Sequence, residues 1–195
     1  MKTEDFWAGK FGQEYTERNQ IDPATRVDFW RSAVEYCTPG TVLEVGCNRG
    51  HNLAAIQMVD QSIDLYGVDV NAQAVEEARQ QGFEAQHSTA LGIAGLFDPG
   101  SMDLVFTAGV LIHIAPEDLE SVMRAIVATS ARYVLAVEYA SDHEEEVEYR
   151  GHTGKLWKRP FGQLYEKLGL KLLAVVPDAT GFDQCTAWVL EKPQS

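Results

Sequence analysis

Two glycines and an acid carry the first chemical signal. Residues 42–50 read Val-Leu-Glu-Val-Gly-Cys-Asn-Arg-Gly, and Leu65-Tyr66-Gly67-Val68-Asp69-Val70 follows. Glycine lets a backbone turn approach a ligand closely, and an acid ending the next strand accepts both hydroxyls of a ribose. Gly46, Gly50 and Asp69 therefore point to a nucleoside-containing cofactor. Downstream, Tyr149-Arg150-Gly151-His152 runs on to Trp157-Lys158-Arg159. Guanidinium groups bind carboxylate or phosphate through two parallel hydrogen bonds. Tyr149, Arg150, Lys158 and Arg159 thus form a candidate clamp for a small anion, with a solvated loop as the plainer alternative. His113 and His152 are the candidate proton-handling groups, since imidazole titrates near neutrality.

The elements that must position these residues alternate. Strand-like runs occupy 41–46, 63–70, 83–88, 103–108, 131–139, 170–176 and 184–191, and helical patterns occupy 50–60, 72–81, 116–129 and 160–168. Asn71 is the expected N-cap of the second helix, and Pro116 the first-turn residue of the third. Such alternation implies an α/β fold, with parallel strands covered on both faces. The linker 177–181 is too short for a helical crossover, so the last two strands should form an antiparallel hairpin. At the start, Trp7, Phe11 and Tyr15 recur at helical spacing, weakened by Gly9 and Gly12. Asp22-Pro23 opens a further helix that Pro39-Gly40 stops. Glu44 falls on a strand expected to be buried, where a carboxylate is costly unless hydrogen-bonded.

Bulk properties narrow the function classes. The chain has 195 residues, 45% of them hydrophobic, which suits a single domain with one sizeable core. No leader and no apolar run of about 20 residues is seen, so a soluble, cytoplasmic protein away from membranes is expected. Cys37, Cys47 and Cys185 are far apart, which predicts free thiols and no bound metal. A net charge of −13 disfavours a nucleic-acid partner. Oligomeric state is not legible.

These motifs resemble those of the class I S-adenosylmethionine-dependent methyltransferases. The first motif of that family is matched by Leu43-Glu44-Val45-Gly46-Cys47-Asn48-Arg49-Gly50, with Asn48 replacing its middle glycine. Asparagine tolerates positive φ better than most residues, so the turn should survive. Tyr66 to Asn71 resembles the family's ribose-binding strand end, and Met102 to His113 its fourth-strand motif beside the methyl group. A nicotinamide dehydrogenase is not expected to carry that fourth-strand motif.

The resemblance implies a Rossmann-like three-layer sandwich: a mostly parallel seven-stranded sheet with a C-terminal antiparallel hairpin. Its expected parts are a helical cap or lid (1–38), a cofactor core (39–140), a substrate-loop insertion (141–160), and a final helix and hairpin (161–195). It implies S-adenosyl-L-methionine as cofactor and S-adenosyl-L-homocysteine as product. Glu44, Gly46, Cys47, Asn48 and Gly50 would hold the methionine end, and Asp69 and Val70 the ribose. Ser88 and Thr89 would lie near the adenine, walled by Leu91 and Ile93 unless these are core, and Thr107 near the methyl. His113 and His152 would be catalytic, and Tyr15 with Arg18 would fold over as a lid while Phe6 and Phe11 pack in the core.

A narrower resemblance is carried by Phe6-Trp7-x-Gly9-x-Phe11-Gly12-x-x-Tyr15-x-x-Arg18-Asn19 and Glu148-Tyr149-Arg150-Gly151-His152, continuing to Trp157–Phe161. These look like the pseudaminic-acid-biosynthesis-associated methylases. The implied reaction is O- or N-methylation of a small, anionic metabolite such as a nucleotide sugar or amino-sugar acid. An amino-acid or peptide-derived secondary metabolite is the alternative acceptor, and an inactive cofactor-binding module the alternative class. In the module, Trp157 or Tyr149 should fill the methyl end.

Overall fold

A computed structural model describes residues 3–193. Its seven main strands are β1 (Thr41–Val45), β2 (Asp64–Asp69), β3 (Glu84–His87), β4 (Met102–Ala108), β5 (Ser130–Glu138), β8 (Lys171–Val176) and β9 (Thr186–Glu191). Two short strands, β6 (Glu145–Glu146) and β7 (Trp157–Lys158), pair separately. The large sheet has the order β3-β2-β1-β4-β5-β9-β8. Strands β1 to β5 pair in parallel, while β9 runs antiparallel to both β5 and β8. The expected hairpin is present, and its second strand is the one inserted beside β5.

Among the described residues seven α-helices connect or cover the strands: α1 (Thr3–Ala8), α2 (Lys10–Arg18), α3 (Val27–Cys37), α4 (His51–Val59), α5 (Ala72–Gln80), α6 (Pro116–Thr129) and α7 (Phe161–Lys167). The Asn71 side chain accepts from the amides of Gln73 and Ala74, and Pro116 opens α6, both as the sequence predicts. Two helical expectations need correction. The single helix expected across Trp7, Phe11 and Tyr15 is two helices, because Gly9 adopts an extended conformation between them. The Asp22 carboxylate does accept from the Ala24 amide, but the turn it starts, Pro23–Arg26, is 3-10 and leads into α3. The substrate-loop insertion expected at 141–160 carries a small ladder, Glu145 with Lys158 and Glu146 with Trp157.

Apolar residues fill both faces of the sheet with the period of two that strands impose. On β1, Leu43 and Val45 join the core under α6 and α7, while Val42 joins the core with Trp30 of α3 and Ile56 of α4. Glu44 shares the face of Val42, so its carboxylate is driven between α3 and α4. Chain order reverses between β1 and β4, and the carboxyl ends flanking that point are where open α/β sheets take ligands.

Candidate active site

A cavity of about 260 Å³ opens at that reversal. The turn after β1 forms its floor. Amides of Gly46 and Cys47 both donate to the Val68 carbonyl on β2, at 2.7 and 3.0 Å. Gly46 has φ +80°, and a Cβ there would lie 2.3 Å from Val110 Cγ2, so only glycine fits. Asn48 takes φ +48°, the left-handed conformation that its replacement of glycine demands. Gly50 departs from the expected role: it is absent from the cavity wall, and its φ of +84° and close contact with Phe83 make it a turn and packing residue.

Glu44, 2% exposed, accepts from Asn52 Nδ2 at 2.6 Å through Oε1, while Oε2 is buried without a partner. Asn52 Oδ1 in turn accepts from Arg26 Nη1 at 2.8 Å and from the Trp30 indole at 3.3 Å. Burial pushes the Glu44 carboxyl up to about 8, against the lowering effect of Asn52 and Arg26. Arg26 also donates to the Gly181 carbonyl and lies 4.1 Å above the Phe182 ring.

Asp69 ends β2 with both oxygens engaged: Oδ2 accepts from the Asn48 amide at 2.7 Å and Oδ1 from the Asn71 amide at 2.8 Å. A carboxylate has roughly four acceptor positions, so two remain for other donors. The acid thus braces the turn after β1 as well as lining the cavity. Val70, Cys47 and Ser88 line it too. Thr89 is at the wall, with its hydroxyl accepting from the Gly92 amide. Leu91 is at the wall, whereas Ile93 is fully buried core.

Beyond β4, the backbone folds into a turn held by a buried acid. Glu138, at the end of β5, accepts from the amides of Val110, Leu111 and Ile112 at 3.1, 3.1 and 3.3 Å. Burial raises its carboxyl to about 7 despite these bonds. The turn presents His113 to the cavity. Its Nδ1 lies 2.6 Å from the Lys155 carbonyl, which accepts only, so Nδ1 carries the proton and Nε2 keeps its lone pair. Burial lowers this imidazole to about 4, so it is neutral at pH 7. Thr107, assigned to the methyl end from sequence, is instead buried behind the wall beside Glu138.

The cavity's cover is α1 and α2. Thr3, Glu4, Trp7, Gly12, Tyr15, Thr16 and Asn19 line it. Trp7 contacts both Tyr15 and His113, at 5.3 and 4.5 Å between ring centroids. Phe6 and the half-buried Phe11 stack at 4.1 Å against His152, in the cover and not among the apolar clusters of the sheet where they were expected. Arg18 does not line the cavity: it is exposed, with its guanidinium over the Phe11 and Tyr15 rings.

None of the expected clamp residues reaches the wall. Arg159 is 1% exposed, donating to Glu144 at 2.7 Å and to the Leu111 carbonyl at 3.0 Å, so it is consumed in holding the β4 turn. Arg150 is exposed near the Tyr149 ring, and Lys158 sits in the small ladder. Tyr149 packs on the far side of Trp7 and His113. His152 is exposed and touches Phe6 and Phe11 at 5.0 and 5.6 Å, outside the cavity. The loop therefore acts on the site through the Lys155 carbonyl and its packing, not through its cations. Among the described residues no group of acids, histidines and cysteines is arranged to hold a metal ion.

Sequence reasoning gave no role to Arg26, Asn52, His51 or Glu138. Asn52 sits among Leu53, Ala55 and Ile56 on a buried helix face, and Glu138 ends an apolar strand as Glu44 interrupts one; both are polar residues in apolar frames, a legible signal. Arg26 left none, because its partners Asn52 and Gly181 are distant in sequence.

Residues 42–131 match the family model described as a methyltransferase domain. No curated protein sequence matches the chain. Magnesium protoporphyrin IX methyltransferase from Synechocystis PCC 6803, solved with bound S-adenosylmethionine, is similar over 99% of this chain and 98% of its own, with TM-score 0.72 and 15% identity. For 1,6-didemethyltoxoflavin-N1-methyltransferase from Burkholderia thailandensis, solved with 1,6-didemethyltoxoflavin and S-adenosylhomocysteine, the coverage is 98% and 87%, the TM-score 0.73 and the identity 13%. The sugar N-methyltransferase from Streptoalloteichus sp ATCC 53650 gives 96% and 94%, with TM-score 0.70 and 14% identity. At such identities the likeness is one of fold. Over residues 42–131 the chain is thus similar to a methyltransferase domain, and its fold is the one these S-adenosylmethionine-dependent enzymes share.

Proposed function

We propose that the protein transfers a methyl group from S-adenosylmethionine to a small molecule. The observation that carries this reading is the orphaned Oε2 of Glu44, a buried acceptor in the wall of the cavity that an amino-acid ammonium would satisfy. Arg26 would meet the carboxylate of the same amino-acid end, the turn at Gly46–Asn48 its chain, and Asp69 a ribose diol. Ser88 and Leu91 would border the base. When bound, the cofactor supplies an electrophilic methyl on a sulfonium sulfur.

The protein's own part is positional. In-line displacement gains most of its acceleration from orientation and the exclusion of water. Trp7 and Tyr15 supply the cover, and the turn held by Glu138 and Arg159 presents His113. The neutral Nε2 of His113 is suited to accept a hydrogen bond from the acceptor's N–H or O–H. His152, Arg18 and the loop cations enter this reading only as supports for the cover.

A cavity of about 260 Å³ supports a small acceptor. The resemblance to the pseudaminic-acid-associated methylases favours a sugar-derived one, a nucleotide sugar or an amino-sugar acid. The anionic character expected from the clamp has lost its residues. Tyr149 and Trp157 leave the cavity unfilled, which favours an enzyme over an inactive module. Calorimetric titration with S-adenosylhomocysteine, with NAD as comparison, tests the cofactor. Micromolar binding of the former alone is expected. Binding of NAD alone, or of neither, refutes the reading.

A further inference from the structure

Glu138, the last residue of β5, is fully buried and stands behind the cavity wall, out of reach of a ligand. It accepts from three consecutive amides, Val110 and Leu111 at Oε1 and Ile112 at Oε2. Those amides open the 3-10 turn Leu111–His113, which the His113 amide closes on the Val110 carbonyl and the Ile114 amide on the Leu111 carbonyl. Consecutive amides at a helical start have no partner in their own turn, and a carboxylate is a strong acceptor for them. His113 ends this turn, and its ring is tethered separately, by the Lys155 carbonyl at Nδ1. The backbone of His113 therefore depends on one ionisable group. Thr107 faces that group from β4, Arg159 from the end of the insertion, Tyr165 from α7 and Cys185 from the approach to β9. Burial, and after it the Glu138 charge, push the Tyr165 hydroxyl and the Cys185 thiol up, so both stay protonated. Arg159 Nη2 and the Tyr165 hydroxyl are buried donors without partners, a setting that suits a charged carboxylate.

From this network we propose that Glu138 is the positioning residue for His113, and that Nε2 is aimed into the cavity only while the Glu138 carboxylate carries its charge. The inference rests on the methyltransferase reading above, in which Nε2 meets the acceptor. Oε1 holds two of the amides and Oε2 one, so an added proton goes to Oε2. That oxygen then becomes a donor, and the Ile112 amide, next to His113, loses its acceptor. Burial holds the Glu138 carboxyl near 7, so its charged fraction falls from about half at pH 7 to about a tenth at pH 6. His113, lowered to about 4, takes no proton in that range. A loss of the ordered turn near pH 7 is thus the signature of Glu138, not of the imidazole.

NMR of the isotopically labelled wild-type protein tests this, by titration from pH 8.5 to pH 5.5. The signals followed are the Glu138 carboxyl carbon, the amides of Val110, Leu111 and Ile112, and the His113 ring nitrogens. All are expected to move together with one midpoint near pH 7, while the ring nitrogens keep the pattern of a neutral imidazole protonated at Nδ1. In Glu138→Gln the amides and the ring should show no step over this range. In Glu44→Gln, which removes the acid raised to about 8, the step should persist. The wild-type carboxyl signal needs no variant, so the proposal stays falsifiable should Glu138→Gln fail to fold. A carboxyl that titrates while His113 stays still would overturn the proposal. So would a carboxyl with no step, a step that survives Glu138→Gln, or proton uptake by His113 itself across the range. Binding of S-adenosylhomocysteine by the wild-type protein is measured separately: its failure overturns the underlying function and leaves the Glu138 result standing.

Discussion

Replacing Glu44 by glutamine should stabilise the empty protein and weaken its hold on the cofactor. The carboxyl stands at about 8 in the fold, against 4.5 in an unfolded chain. A raised acid is stabilising in its protonated form, so its contribution is fully present below pH 4.5 and is lost as pH rises towards 8. Each pH unit in that window costs about 1.4 kcal/mol, and the ceiling over the whole window is about 5 kcal/mol. Relaxation around the charge will reduce this, and a gain of roughly 3 kcal/mol for Glu44→Gln at pH 8 is expected, or about 6–12 °C in Tm. Glutamine can still accept from Asn52 through its amide oxygen. Glu138, raised to about 7, leaves the variant a smaller slope of its own.

Binding should show the opposite sign. At pH 7 a group titrating at 8 is about nine-tenths protonated, so meeting an ammonium releases roughly 0.9 proton. Calorimetry with S-adenosylhomocysteine in phosphate and in Tris reads that number from the difference in heat. Losing a charge-assisted hydrogen bond costs about 1.5–3 kcal/mol, so the variant should bind some ten- to a hundredfold more weakly at pH 8, and the gap should narrow towards pH 6. Heat independent of the buffer, together with unchanged affinity of the variant at pH 8, would refute the assignment of Glu44 to the ammonium.

Asp69→Ala should lower S-adenosylhomocysteine affinity by roughly 1.5–3 kcal/mol, and its melting point should also fall because the Asn48 and Asn71 amides lose their acceptor. Normal binding by calorimetry would remove the ribose role. Arg159→Met should destabilise the fold by about 1–3 kcal/mol in urea melts, since it removes the hydrogen bond to the half-exposed Glu144 and leaves the buried Leu111 carbonyl with the Ile114 amide alone. A stable variant with a raised acceptor KM would restore the clamp that the geometry removes.

The sequence by itself determined what local chemistry dictates. Period-two and helical patterns with cap residues such as Asn71 and Pro116 specified the alternating elements, because capping and face burial depend on neighbours a few residues apart. The glycine turn and Asp69 were legible for the same reason: a tight turn after a strand accepts few residue types. What only tertiary structure decided are contacts closed across the chain. Arg26 reaches Asn52 and Gly181, Glu138 captures amides of the β4 turn, and the Lys155 carbonyl sets the tautomer of His113. Arg159 shows the difference most plainly. Its type and spacing suit an anion clamp, yet folding buries it against Glu144 and Leu111 outside the cavity wall, where even its unpartnered Nη2 is sealed from a substrate.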